Sequence, residues 1–209
     1  MSKKNEDSKS EEVKIILIGD SGVGKTNLIN TYVGLGFNES ENPTISGNFD
    51  TKTLEINDKK YILNLWDTAG QESYRGVTQL FFRGAEIVIL VYDIVSPDTF
   101  KSLDVWHEMS EDTINNDHIY GIVGNKNDLY LEAQVTEEEG MNYAKSKNAK
   151  FKLVSAKEDP KSFSDFVEDL LLDYKKIEKV ERRQSVKLNK SDIEKVEEKK
   201  KCFSKCKNS

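Results

Sequence analysis

The stretch Gly19–Thr26 reads GDSGVGKT. Its spacing, GxxxxGK[ST], is one that can cradle phosphate when a strand precedes it and a helix follows. Glycines let the backbone fold back so that successive N–H groups point inward at phosphate oxygens. The N-terminus of the following helix adds its partial positive charge. In such a loop Ser21, Gly22, Val23, Gly24, Lys25, Thr26 and Asn27 surround the phosphates of a nucleoside triphosphate. Lys25 can reach the β- and γ-phosphates, and the Thr26 hydroxyl can ligate Mg²⁺.

Three further polar stretches each follow an apolar run. Asp67 leaves Tyr61–Trp66 and precedes Gly70, in DTAGQ. Beside a phosphate loop, that carboxylate is expected to hold Mg²⁺ directly or through water. Gly70 would let a backbone N–H approach the γ-phosphate. Asn125, Lys126 and Asp128 stand in GNKND, and Ser155, Ala156 and Lys157 follow Phe151–Val154. A carboxylate at a base pocket accepts from both N1–H and the exocyclic amine of guanine, an arrangement adenine does not offer. A site built on such paired hydrogen bonds rejects the analogue lacking them by large factors.

The elements that must position these residues are legible as periodicity. Val13–Ile18 is a short apolar run of strand type, and Leu28, Ile29, Tyr32 and Val33 recur at helical spacing. Gly34–Gly47 is a long polar loop of the kind that carries function. Phe49–Ile56 and Tyr61–Trp66, separated by the turn signal Asn57-Asp58, predict a hairpin. A short helix is expected over Tyr74–Arg83. Ile87–Tyr92 and Ile119–Val123 are apolar strands of the buried type. Ser96-Pro97 starts a helix expected to run to about Glu111, with Phe100, Leu103 and Trp106 inward. Thr136–Lys147 carries a capping box, Thr136 with Glu139. Phe151–Val154 is the last strand, and Phe163, Phe166, Val167, Leu170 and Leu171 mark one face of a helix from Lys161 to about Tyr174. Strands alternating with helices predict an α/β fold: a mixed, mostly parallel six-stranded sheet with helices on both faces. Ligands in such sheets sit at the carboxyl ends of the strands, and all four polar stretches fall there.

The whole chain has 209 residues and a formal charge of −6. That charge is divided unevenly. Lys175–Ser209 carries 13 Lys/Arg against 6 Asp/Glu, a net of +7, leaving −13 on residues 1–174. An acidic body argues against general nucleic-acid binding, and a basic tail suits an anionic surface. Residues 1–12 read as a disordered extension, with neither a signal peptide nor a myristoylation site. No apolar run approaches membrane-spanning length. The two cysteines, Cys202 and Cys206, both lie in the tail, so no disulfide framework is expected and a cytosolic setting fits.

GDSGVGKT, WDTAGQE, GNKND and SAK, in this order and at these separations, resemble the Ras superfamily of small GTPases. The likeness covers about Val13–Tyr174, which sets a GTPase domain at 13–174 and a tail at 175–209. Trp66–Glu72 (WDTAGQE), Phe81–Ala85 (FFRGA), Leu90–Ile94 (LVYDI) and Ser21 are similar to the Rab branch. The resemblance implies a P-loop G domain that binds GTP or GDP with Mg²⁺ and hydrolyses GTP. It implies that Thr44 senses the γ-phosphate and Mg²⁺, that Phe37 stacks on guanine, and that Lys126 packs along the base. Ala156 would offer its N–H to guanine O6, Gln71 would position the attacking water, and Lys25 would stabilise developing charge. A nucleoside kinase and a non-cycling scaffold are the rival readings. One departure stands out: Ile45, Ser46, Gly47, Asn48 and Phe49 occupy positions where Rab proteins usually read Ile-Gly-Val-Asp-Phe. The sensing threonine is kept and the recognition surface beside it is altered.

For the tail, the resemblance implies lipidation of Cys202, Cys206 or both, although the two are four apart rather than adjacent or one apart. One lipid chain plus Lys199–Lys201, Lys205 and Lys207 would hold the protein on anionic membrane. The implied partners are an exchange factor, a GTPase-activating protein, an escort or dissociation inhibitor, and effectors. The implied location is the cytoplasmic face of an intracellular membrane. Arg182-Arg183-Gln184-Ser185 resembles a basophilic kinase site at Ser185.

Overall fold

The computed structural model describes residues 10–42, 44, 47–68, 80–114 and 117–178. Six strands form one sheet: β1 (Glu11–Ile18), β2 (Asn48–Ile56), β3 (Lys59–Asp67), β4 (Ile87–Asp93), β5 (Ile119–Asn125) and β6 (Lys150–Leu153). Their order is β2-β3-β1-β4-β5-β6. Among the described strands of this sheet, β2 and β3 alone pair antiparallel; the other four pairings are parallel. The expected mixed, mostly parallel sheet is what forms.

Burial explains the parallel core. Every residue of β4 is buried, and Ile15, Ile16, Leu17 and Ile18 of β1 are fully enclosed. Strands covered on both faces need no polar alternation. On one face Ile16, Ile18, Val88, Leu90, Tyr92 and Ile122 pack with Leu103, Trp106 and Ala144. The latter come from α3 (Leu103–Thr113) and α4 (Glu137–Ser146). On the other face, Gly121 leaves room for Phe166 and Leu170, whose side-chain atoms lie 2.7–3.1 Å from where a Cβ would stand. Tyr32 of α1 (Lys25–Val33) meets Phe163 edge-on at 5.8 Å. The hairpin turns at Asn57 and Asp58, both with positive φ (52° and 60°). A two-residue turn of that hand matches the twist of the flanking strands, and Asn and Asp tolerate it.

Three boundaries differ from the sequence expectation. β1 begins at Glu11, inside the segment read as disordered, because Glu11 and Glu12 pair with Tyr61 and Ile62 of β3. The helix expected from Pro97 to Glu111 is two, α2 (Pro97–Lys101) and α3. They part at Ser102, whose hydroxyl and N–H both donate to Asp98 O at 3.0 Å. Such back-bonding offers the chain an alternative to uninterrupted helix. A 3₁₀ helix, Asn127–Glu132, follows β5 in a stretch where the sequence reading placed no element. The Thr136 capping box forms as read: Glu139 N–H donates to Thr136 Oγ1 at 3.2 Å, and Thr136 N–H to Glu139 Oε2 at 2.8 Å.

Two compact units divide at Leu170, Met1–Leu170 and Leu171–Ser209. Residues 160–170 are helical in the first, and 171–178 are helical in the second. Within the latter, Lys175 pairs with Glu178 at 2.9 Å. Most of the helix expected at Tyr74–Arg83 lies outside the described residues; 80–82 are helical.

Candidate functional site

Loops at the carboxyl ends of β1, β3, β5 and β6 meet around a cavity of about 410 Å³. It is lined by Ser21, Gly22, Gly24, Lys25, Thr26 and Asn27 from the first loop, and by Phe37 and Thr44 from the second. Asn125, Lys126, Asp128, Ala156 and Lys157 close the other end. The expected residues Val23, Asp67 and Ser155 are not among the lining residues and stand directly behind them. Gly70, Gln71, Cys202, Cys206 and Ser185 lie outside the described residues.

The phosphate loop owes its shape to two glycines in particular. Gly19 has φ 146°, and a Cβ there would sit 2.2 Å from Val91 O. Gly24 has φ 97°, and its Cβ would sit 2.4 Å from Asn125 Nδ2. No larger residue fits either place. Lys25 is held across the loop, donating to Gly19 O and Asp20 O, each at 2.8 Å. It is 5% exposed. Burial lowers its pKa to about 8, against the pull of Asp67 and Asp20. A buried ammonium with two carbonyl partners and, among the described residues, no carboxylate hydrogen-bonded to it is a ready counter-charge for phosphate.

Three oxygens converge beside it. Thr26 Oγ1 donates to Asp67 Oδ2 at 2.7 Å, Thr44 Oγ1 donates to the same oxygen at 3.1 Å, and the two hydroxyls are 3.0 Å apart. Asp67 is 2% exposed, and its Oδ1 is buried without a hydrogen-bond partner among the described residues. Burial raises its pKa, opposed by the two threonine hydrogen bonds and Lys25; Glu41 adds a smaller push upward. A hard-oxygen cluster with an unused carboxylate oxygen fits Mg²⁺, which binds through one or two carboxylates plus substrate phosphates.

At the other end Asn125 ties two loops together. Its Nδ2 donates to Val23 O at 2.8 Å, and its Oδ1 accepts from Ala156 N–H at 3.3 Å. Asp128 Oδ1 accepts from Ser155 Oγ at 2.5 Å, and Ser155 Oγ in turn accepts from Glu158 N–H at 2.9 Å. Ser155 thereby orients the carboxylate. Lys157 Nζ lies 6.0 Å from the Phe37 ring and pairs with Glu39 at 3.2 Å. Loop and helix α1 are also joined reciprocally: Asn27 Nδ2 donates to Asn38 O at 2.9 Å, and Asn38 N–H to Asn27 Oδ1 at 2.8 Å.

Sequence reading missed several residues that line the cavity: Glu39, Glu41, Asn42, Thr68 and Leu129. Thr68 had a local signal, since it stands between Asp67 and Gly70. Its hydroxyl donates to Leu17 O at 2.7 Å and pins the end of β3 to β1. The altered positions after Thr44 have a packing consequence. A Cβ on Gly47 would fall 2.8 Å from the Phe81 ring. Phe81 therefore occupies the space a valine there would claim, and it stacks at 5.4 Å on Trp66, which meets Phe49 at 5.0 Å.

A six-stranded sheet with a phosphate loop after its central strand, a hydroxyl–carboxylate cluster and an asparagine–aspartate base end defines a P-loop nucleotide-binding domain. The Ras family model matches residues 14–176. Curated relatives agree. Rab-7b of Paramecium octaurelia is 40% identical over 155 residues, 72% of this chain and 75% of the relative. RABC2b of Arabidopsis thaliana is 43% identical over 146 residues, 69% and 71% of the two chains. Human Rab-30 is 39% identical over 160 residues, 77% and 76%. The chain belongs to the Ras family and is a Rab-like small GTPase.

Proposed function

We propose that this protein is a Mg²⁺-dependent GTP switch of the Rab type, acting in vesicle traffic from a membrane surface. The observation that carries the reading is the convergence of Lys25, the Thr26–Thr44–Asp67 cluster and the Ser155–Asp128 pair on one cavity. Gly22, Gly24 and the start of α1 offer backbone N–H groups to the phosphates. Asp128, held by Ser155, accepts from the guanine edge, while Phe37, Lys126 and Lys157 enclose the ring and Ala156 N–H meets O6. Asp67, Thr26 and Thr44 would hold Mg²⁺, which would supply positive charge at the phosphates.

Hydrolysis of GTP by water needs positioning and charge stabilisation more than covalent chemistry. Lys25 supplies charge, and Gln71 orients the water. No Arg or Lys stands between Asn27 and Pro43, so that loop brings no arginine finger of its own. The expected intrinsic rate is on the order of 10⁻⁴ to 10⁻³ per second, rising strongly with a GTPase-activating protein. With γ-phosphate present, Thr44 and Gly70 keep both loops ordered; after hydrolysis those contacts are lost, and effectors read the difference. An exchange factor reloads the site. The domain spans 13–174, and the tail at 175–209, prenylated at Cys202, Cys206 or both, brings its basic charge to anionic membrane and to an escort or dissociation inhibitor. Single-turnover hydrolysis of GTP and ATP, with and without Mg²⁺, tests the core of the reading. Slow, Mg²⁺-dependent turnover of GTP alone supports it. Preference for ATP, or a partner-free rate near 1 per second, refutes it.

A further inference from the structure

We propose that Asp93 is a positioning residue for the base end of the cavity, fixing Lys126 so that its aliphatic stem lines the base pocket. The inference rests on that end being the guanine site. Lys126 lines the cavity from a left-handed backbone position, φ 66° and ψ 36°. Its side chain is 34% exposed. A four-carbon stem so placed has many rotamers open to it, and a base can pack on it only if something selects one. Asp93 makes that selection. Its Oδ2 lies 2.6 Å from Lys126 Nζ, and its side chain is 9% exposed.

The carboxylate is itself held. Oδ1 accepts from Val95 N–H at 3.0 Å, and the Asp93 backbone N–H donates to Thr99 Oγ1 at 3.1 Å. Asp93 also stands in register with Asn125 across β4 and β5, and Ile94 N–H donates to Asn125 O at 3.2 Å. One carboxylate oxygen thus serves the turn after β4, and the other is left for Lys126. A short charge-assisted contact to a buried, doubly anchored partner is a tether rather than a passing surface pair. With its ammonium occupied at Asp93, Lys126 is also kept from moving toward the phosphates. Asp93 does not line the cavity and acts only through Lys126.

A contact to the base face differs from a contact to its edge. Asp128 reads the edge and so distinguishes GDP from IDP, which lacks the exocyclic amine. Lys126 meets a face that both share. The test measures GDP and IDP affinities for the full-length wild type, Asp93→Asn, Asp93→Glu, Lys126→Ala and the Asp93→Asn/Lys126→Ala double variant, and ADP affinity for the wild type, with thermal unfolding in parallel. Asparagine keeps an acceptor for Val95 N–H, so the turn is retained. Expected is a loss of about tenfold for both nucleotides in Asp93→Asn, with the GDP:IDP ratio unchanged and no further loss on the Lys126→Ala background. Asp93→Glu, which keeps the charge, recovers part of the loss. Unchanged affinity in Asp93→Asn, or the same loss with Lys126 already gone, overturns the inference while leaving the guanine site standing. Wild-type protein that binds GDP no better than ADP overturns the guanine reading and this inference with it.

Discussion

Asn125 joins two loops that the chain keeps 31 and 102 residues away from it, Ala156 and Val23. Replacing it by alanine would leave Val23 O and Ala156 N–H unpaired in a region where Asn125 itself is 2% exposed. An orphaned buried group costs about 1–3 kcal/mol. At about 1.5 kcal/mol for each of the two groups, the loss is about 3 kcal/mol. For a domain of this size each kcal/mol moves Tm by about 2–4 °C, so Asn125→Ala should melt about 6–12 °C lower in the nucleotide-free protein, where Ala156 N–H has no guanine O6 to meet. Asn125→Asp separates the two bonds. The carboxylate keeps an acceptor for Ala156 N–H but sets an oxygen against Val23 O, unless it is protonated. Burial and that carbonyl both favour the neutral acid, raising the folded pKa above the unfolded one. Stability from such a group is present at low pH and lost as pH rises through the folded pKa. Asn125→Asp should therefore approach wild type at pH 5 and fall below Asn125→Ala at pH 8. Thermal unfolding across that range reads it directly. A Tm for Asn125→Ala within 2 °C of wild type, or Asn125→Asp with no such pH trend, would refute the argument.

Lys25, brought to about 8 by burial, should make GDP affinity pH-dependent. Bound phosphate favours its ammonium form, so above pH 8 binding takes up a proton and affinity falls toward tenfold per pH unit; a titration from pH 7 to 9 that stays flat would contradict this. In the nucleotide-free protein the same shift has the opposite sign for folding, because the unfolded lysine holds its proton more tightly, and this group's contribution to stability grows as pH rises from about 8 to 10.5. Gly47→Val should push Phe81 off its place against Trp66, costing about 1–3 kcal/mol through overpacking and changing tryptophan emission; unaltered emission and Tm would mean the space is not contested. Thr136→Ala removes a capping box whose residues do not line the cavity and should cost about 1 kcal/mol in unfolding without altering GTP turnover, which a hydrolysis assay checks.

The lengths of sequence that carry chemistry were readable because each is local. GDSGVGKT needs only its own glycines, the strand before it and the helix after it. The apolar runs of β4 and β5 announce a sheet covered on both sides, and Thr136 with Glu139 announces a cap, because the interacting groups lie within four residues of each other. What stayed hidden depends on partners far along the chain. Glu11 and Glu12 are strand residues because β3 pairs with them, and nothing in two glutamates says so. Ser102 is a local exception: its hydroxyl bond to Asp98 O, where the periodic helix divides, is one that hydrophobic spacing does not register.

The sequence by itself therefore determined the fold class and the kinds of groups at the site: a lysine, two threonines, a carboxylate and an Asn-Lys-x-Asp run. Only the tertiary structure decided what each group is doing. It spent the Asn125 carboxamide on a tie between loops, set Ser155 to orient Asp128, placed Lys126 on Asp93, and left one Asp67 oxygen without a partner among the described residues. The physical reason is reach. A side chain's role is fixed by the two or three atoms within about 3 Å of it, and in a parallel sheet those atoms arrive from strands tens of residues apart.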